Sequence, residues 1–350
     1  QAARVRHQVG PGHGLAGGDE GHVGIELGVG AGAVGLVYGQ CFARAGHRVT
    51  FFIKPHHRKA LEEGVIMIRK RRLGGDKTTR FAEFSLMSEW EEVAESTWDQ
   101  VWLAIPSDAL RDLPLAHIRD AIGGASLVML QPSETDYLTL RKYWAAEQIV
   151  KGMINMISYY PPLPGESEPE LRGGIDVAYY LPPSATPLSG DRARVAVSVS
   201  LLKGGGLAAK HVGDAVATSR LPNALLMTFL CALELSDWEF SRLRRDKPLL
   251  TELVQAQKSL LVHLADPSQA QDVTTGRAMR SSARLLSVWG YRVLLGVAPY
   301  ALPFSLEAYL KTHFMKVRVQ TGLYMKDYCQ QCDAPALKNL YQRCFGQRAG

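Results

Sequence analysis

The sequence predicts an α/β protein, a doubly wound and mostly parallel sheet followed by an all-helical C-terminal domain. Three observations carry this. A glycine-rich turn, Gly30-Ala31-Gly32-Ala33-Val34-Gly35, stands between an apolar strand pattern and an apolar helix pattern. Strand and helix patterns then alternate as far as residue 212, as the units of a covered parallel sheet do. After Gly213 the strand signals nearly vanish and helical periodicity takes over.

The elements follow in order. Residues 1–24 are rich in Gly and His, show no strand or helix period, and read as a disordered leader. Ile25, Leu27 and Val29 make the first strand, in which Glu26 and Gly28 are poor residues for a buried parallel position. Val34, Val37, Tyr38, Cys41, Phe42 and Ala45 recur at helical spacing, and Gly46 stops that helix. Residues 48–53 are the next buried strand, which completes a βαβ unit. Strands over 101–105, 126–130, 149–160, 177–181 and 210–212 follow, with helices over 107–119 and 135–146 between them. Beyond Gly213, residues 214–239, 249–264, 277–291, 305–326 and 334–343 read as helices. Leu225, Leu226, Phe229, Leu230 and Leu233 give the first a wide apolar face, and Pro222 shortens or kinks it. The chain thus divides into a leader (1–24), a cofactor domain (25–212) and a helical domain (213–350).

Composition narrows the function. With 350 residues and 46% hydrophobic content the chain can bury one large core or two ordinary ones, which excludes disorder throughout. No apolar run reaches the roughly 18 residues of a membrane span; residues 221–235 come nearest and are broken by Asn223, Thr228 and Glu234. Five cysteines are too few for a disulfide scaffold, which points to the cytoplasm. The net charge of +6 comes with a single dense basic run, Arg69-Lys70-Arg71-Arg72, best read as an exposed turn or strand edge. Nucleic acid is not implied; an anionic small molecule is.

The glycine turn is the strongest motif. Gly30 permits a tight turn, Gly32 lets the backbone approach a pyrophosphate, and Gly35 allows the helix to pack closely. Free N–H groups at the start of the helix, on Ala33 and Val34, then meet the phosphates. This is a Rossmann-like dinucleotide site; the alternative is a turn that merely continues the glycine-rich leader. An NAD site places a carboxylate about 20 residues past the glycines. Here the strand ends in Ile53-Lys54-Pro55-His56-His57-Arg58, with no acid. Lys54 and Arg58 suit a 2′-phosphate, so the cofactor read is NADP, against the alternative of a solvated basic turn.

The glycine run, then Ala45-Gly46-His47-Arg48-Val49, then a basic residue at the strand end, resembles the ketopantoate reductase family. So does the plan of an α/β half followed by a helical half. The resemblance spans about residues 25–345. It implies NADPH-dependent reduction of a 2-oxo acid in the cleft between domains, with Lys54 on the 2′-phosphate; the nicotinamide then faces the cleft near Pro106 and Pro132, and Ile105 and Pro106 count among the cofactor-binding residues. It also implies a catalytic lysine opening the first helix of the second domain, with an asparagine four residues on. Those places hold Ser219 and Asn223. The family's polar residues after the third and fourth main strands fall on Pro106 and Pro132, and its substrate-holding glutamate on Gly322.

With no lysine at 219, other groups become candidate acids: Lys151, with Asn155 and Ser158 on the same segment, His211 and Asp214 at the hinge, and His313 with Lys316 one turn apart. Arg220 stays charged and serves as a clamp for an anion. Asn223 is placed to aim its amide at a carboxylate or carbonyl. Cys329-Gln330-Gln331-Cys332 is a CxxC without further metal ligands, read as a coincidence on a terminal helix, so no metal is expected. The sequence reading is therefore an NADP-dependent oxidoreductase acting on a small 2-oxo acid, with a homodimer through the helical domain. Two alternatives remain: a cofactor-binding sensor or scaffold without turnover, and opine-type joining of an amine to a 2-oxo acid.

Overall fold

The computed structural model describes residues 23–167, 174–266 and 273–346, so all but two residues of the expected leader lie outside it. The first part runs β1 (Ile25–Val29), α1 (Ala33–Arg44), β2 (Arg48–Phe52), α2 (Arg58–Glu62), β3 (Val65–Arg69), β4 (Lys77–Phe81), β5 (Ser85–Met87), α3 (Trp90–Ala94) and β6 (Gln100–Leu103). It continues through α4 (Ser107–Arg111), α5 (Leu115–Ile122), β7 (Ser126–Met129), α6 (Glu134–Leu140), β8 (Ile149–Gly152), β9 (Ile157–Tyr159), β10 (Ile175–Tyr180), β11 (Thr186–Ser189), α7 (Arg192–Gly204) and β12 (Ala209–His211). The second part is helical among the described residues: α8 (Ala215–Glu234), α9 (Phe240–Arg245), α10 (Lys247–Leu264), α11 (Val273–Leu285), α12 (Val288–Val297), α13 (Leu306–Lys316), α14 (Arg318–Gln331) and α15 (Pro335–Phe345).

The main sheet has eight strands in the order β12-β11-β8-β7-β6-β1-β2-β5, parallel except where β11 meets β8. This is the doubly wound sheet the sequence predicts. Its centre explains two odd residues of β1. Glu26 is 0% exposed, and its Oε1 lies 2.9 Å from Nδ1 of His47. Burial raises its pKa, and His47 opposes that rise. Gly28 and Gly39 are small for one reason: a Cβ at either would lie 2.9 or 2.3 Å from the Phe51 ring. Phe51 fills the slot between β1 and α1, and the two glycines make it.

A second, four-stranded sheet, β4-β3-β10-β9, corrects the expectation of one sheet. The strand read over 149–160 is two strands: β8 joins the main sheet, residues 153–156 cross over, and β9 joins the second sheet. Three helices also split. Residues 107–119 break before Pro114, which cannot donate a backbone bond; 277–291 break at Ser287, whose Oγ caps α12; 305–326 break at Val317. The helix α7 lies where Val195, Val197 and Val199 alternate like a strand. Asp191 decides the matter by accepting the N–H groups of Ala193 and Arg194.

The second sheet is the joint between the two halves. Tyr159 and Ala178 belong to the helical core, and Ile68, Ile157 and Tyr180 pack against it. The Tyr159 ring sits 5.4 Å from Phe304 and 6.1 Å from Tyr309. At the centre of the helical half is α8, with Ala224, Leu230, Cys231 and Leu233 buried. It is 20 residues long and apolar enough to cross a membrane by length and composition, and 56% of its apolar window is buried inside the protein.

The Phe51 slot gives a direct stability test. Gly39→Leu should overpack it and cost about 1–3 kcal/mol in urea unfolding. Adding Phe51→Ala should return part of that loss, because the two side chains compete for one space.

Candidate active site

The glycine turn closes the carboxyl end of β1. Gly30 has φ +96° and donates to the Phe52 carbonyl at 3.1 Å. A Cβ on Gly35 would sit 2.1 Å from the Gly30 carbonyl oxygen, so α1 begins directly on the turn. Gly32 is the N-cap of α1, makes no side-chain cap, and no acid occupies the first turn. A Cβ at Gly32 would meet nothing within 4 Å. The positive end of α1 therefore opens on free space beside Gly32, an anion seat in which the Ala33 N–H already meets the Tyr160 hydroxyl. The residues present fit the pyrophosphate of a dinucleotide.

That space belongs to a cavity of about 340 Å³ between the halves. Gly32, Ala33 and Val34 form one end; Ile105, Pro106 and Pro132, at the ends of β6 and β7, form the floor. His313, Lys316, Gln320 and Tyr324 close it from α13 and α14. The buried Gln131 stiffens the floor, its Nε2 donating to the carbonyls of Leu103 (3.1 Å) and Ile105 (2.7 Å). The basic residues stand at the same edge. Val29 pairs with Phe52 in register, so Gly30 and the exposed Lys54 leave the sheet side by side. Arg58 opens α2 and donates to the Leu86 carbonyl at 3.2 Å, which holds it over β5.

A second, more polar cavity of about 160 Å³ adjoins the first. Pro132 and Tyr324 line both. Glu134, Ser219, Arg220, Asn223 and Asp327 line the second alone. Ser219 and Asn223 are thus brought together, bonded at 3.3 Å from Asn223 Nδ2 to Ser219 Oγ. The Ser219 hydroxyl itself donates to the Val216 carbonyl at 2.7 Å. Lys151 lines neither cavity. Its Nζ lies 2.8 Å from Asp214 Oδ2 and 4.8 Å above the Tyr137 ring, and Asp214 in turn caps α8. Gly322 points away as well: a Cβ there would meet the Phe345 ring at 3.2 Å. The CxxC cysteines are free thiols, and the described residues hold no cluster of three or more His, Cys, Asp or Glu suited to a metal.

Sequence reasoning missed Ser107, Asp136, Tyr324 and Gln131. Ser107 Oγ and Tyr324 Oη lie 3.1 Å apart, across 217 positions of chain, and Gln320 Nε2 donates to Tyr324 at 2.8 Å. Asp136 is 1% exposed. Burial raises its pKa, and the Ser107 hydroxyl pulls it back. The available signal was on α14, where Gln320, Tyr324, Asp327, Tyr328 and Gln331 mark a polar and aromatic face at helical spacing.

His313 stacks on Tyr309 at 5.3 Å. Burial, helped by Lys316, lowers its pKa from 6.5 to about 4. Between these values the unfolded chain binds a proton that the folded chain refuses. Folding stability should therefore fall as the pH drops from about 6.5 towards about 4. In thermal melts across that range, His313→Gln should show a shallower decline than the wild type.

Residues 27–165 match the family model of ketopantoate reductase PanE/ApbA. No curated protein matches the chain by sequence. Among solved structures, 2-dehydropantoate 2-reductase from Geobacter metallireducens GS-15 is similar at TM-score 0.54 and 14% identity, over 91% of this chain and 98% of that one. A PanE/ApbA family ketopantoate reductase from Ralstonia eutropha JMP134 is similar at 0.54 and 17%, over 87% and 99%. A ternary structure of D-mandelate dehydrogenase with NADH and anilino(oxo)acetate is similar at 0.54 and 14%, over 85% and 98%. At these identities the structural likeness speaks for the fold. The family match covers residues 27–165, and over the chain as a whole the likeness to these structures is one of fold.

Proposed function

We propose that the protein is an NADP-dependent oxidoreductase that reduces a small carbonyl compound, a 2-oxo acid, between its two halves. The observation that carries this is the open N-terminus of α1, facing a cavity that adjoins a polar one across Tyr324 and Pro132. We read residues 25–212 as the cofactor domain and residues 213–350 as the substrate domain. In this reading Gly30, Gly32, Ala33, Val34 and Gly35 hold the pyrophosphate, and Lys54 and Arg58 the 2′-phosphate. Ile105 and Pro106 bound the nicotinamide end. When bound, the reduced cofactor supplies a hydride. Arg220 clamps the substrate carboxylate, Asn223 turns its amide to the carbonyl, and Ser219 orients Asn223. Lys151 acts at a distance, fixing the start of α8 through Asp214. Exposed Trp289, Val293 and Val297 on α12 support a homodimer through the helical half.

The names of similar structures support the substrate class: two are ketopantoate or 2-dehydropantoate reductases, and the mandelate dehydrogenase holds an oxoacetate. That last structure carries NADH, whereas here Lys54 follows β2 with no acid in 55–60. A second reading, reductive joining of an amine to the oxo acid, is favoured by Glu134 and Asp327, two carboxylates beside Arg220 that suit an ammonium.

Fluorescence titration with NADPH and NADH tests the cofactor. Lys54→Glu should weaken NADPH about tenfold or more and leave NADH nearly unchanged, because only NADPH carries the 2′-phosphate charge. Equal losses would remove the role of Lys54. NADPH oxidation that needs both an amine and an oxo acid would select the second reading. Binding without oxidation would select a cofactor sensor.

A further inference from the structure

We propose that Tyr324 is the proton donor of this reaction, backed by a buried relay from Asp136 through Ser107. The proposal rests on the reductase reading above, and it fills the place that Ser219 leaves empty. Other groups that could give a proton sit wrongly. His313 and Lys316 line only the first cavity, Tyr328 only the second, and Lys151 neither. The Ser219 proton is committed to the Val216 carbonyl. Among the described residues, Tyr324 is the one titratable side chain that lines both cavities, where a nicotinamide in one would meet a carbonyl in the other.

Its surroundings are built for the task. Gln320 Nε2 donates to the phenol oxygen at 2.8 Å, and Ser107 Oγ lies 3.1 Å from it. Behind Ser107, which is 3% exposed, stands the Asp136 carboxyl, and Asp136 Oδ2 is buried with no partner. An orphaned carboxylate oxygen in such a place is costly unless the group carries a proton. With Asp136 protonated, the hydrogen bonds can run from Asp136 to Ser107 to Tyr324. That order leaves the phenolic proton free to point into the cavity. Burial raises the Tyr324 pKa, so the phenol stays protonated until an alkoxide demands its proton, and Ser107 and Gln320 then stabilise the phenolate.

The step balances. A reduced nicotinamide held at the glycine turn would supply the hydride to the carbonyl carbon and would be oxidised in doing so. The C=O π pair moves to oxygen, and that oxygen takes the proton of Tyr324. Ser107 reprotonates the phenolate and is itself reprotonated by Asp136, which recovers a proton from solvent. The product is the 2-hydroxy acid.

The test uses the whole protein, NADPH, and pyruvate and 2-oxoisovalerate as probes. Tyr324→Phe should lower kcat about 100-fold or more while the NADPH dissociation constant stays within about twofold of wild type. A readout without turnover uses the NADP⁺ complex with carbonyl-labelled pyruvate. The infrared carbonyl stretch should shift to lower frequency in the wild type and not in Tyr324→Phe. Ser107→Ala, which leaves the phenol in place, should lower kcat less and keep that shift. An equally active Tyr324→Phe, or an unchanged carbonyl shift in it, overturns the proton donor alone. A wild type that binds NADPH but neither binds nor reduces either oxo acid overturns the reductase reading and this proposal together.

Discussion

The contact on which the rest depends is the seating of α1 on its own turn. The Gly30 carbonyl lies where any side chain at position 35 would have to be. That leaves no gap between the end of β1 and the first turn of the helix. The N–H groups of that turn are thereby fixed over the carboxyl edge of the sheet, with free space beside Gly32. The same helix is held from below by the Phe51 ring, for which Gly28 and Gly39 make room. A helix N-terminus is useful to an anion only if it cannot retreat, and these contacts prevent retreat.

The second requirement is that the helical half stay in register with that edge. The second sheet supplies this through Tyr159 and Ala178, which are part of the helical core while their strands belong to the sheet. Nearer the site, Tyr324 reaches from α14 to Ser107 at the start of α4, and the Lys151–Asp214 pair ties β8 to the start of α8. Each tie joins one half to the other beside a cavity, and polar groups withdrawn from water make such ties geometrically demanding.

Much of the glycine-turn end could be read from the chain, because local rules govern it. A turn with positive φ at Gly30, a helix that tolerates no side chain at Gly35 and a strand followed by Lys54 are short-range constraints, each visible in a few adjacent residues. The second sheet was hidden because β4 is a mostly exposed edge with the polar text Lys-Thr-Thr-Arg, and β9 is short and continuous in pattern with β8. The cluster around Tyr324 was hidden for a different reason. Ser107, Asp136 and Tyr324 meet only through tertiary packing, and no spacing along the chain announces it. Ser219 and Asn223 are reached through the family resemblance, and four residues apart on a helix they share a face, whereas Lys151, also a sensible candidate, is claimed by Asp214 from a distant element.

The crossover at residues 153–156 sets where this chain can change length. It carries the backbone from one sheet to the other in four residues, and on the way Met153 packs on Ala215 and Val216 at the start of α8 while Ile154 borders the larger cavity. There is no slack in it. An inserted or deleted residue there would shift β9, and through Tyr159 the helical core, relative to the glycine turn. The exposed part of the link between β3 and β4, residues 71–75, carries no such burden. Natural variation in length, and engineered insertions alike, should collect in that link and spare the crossover.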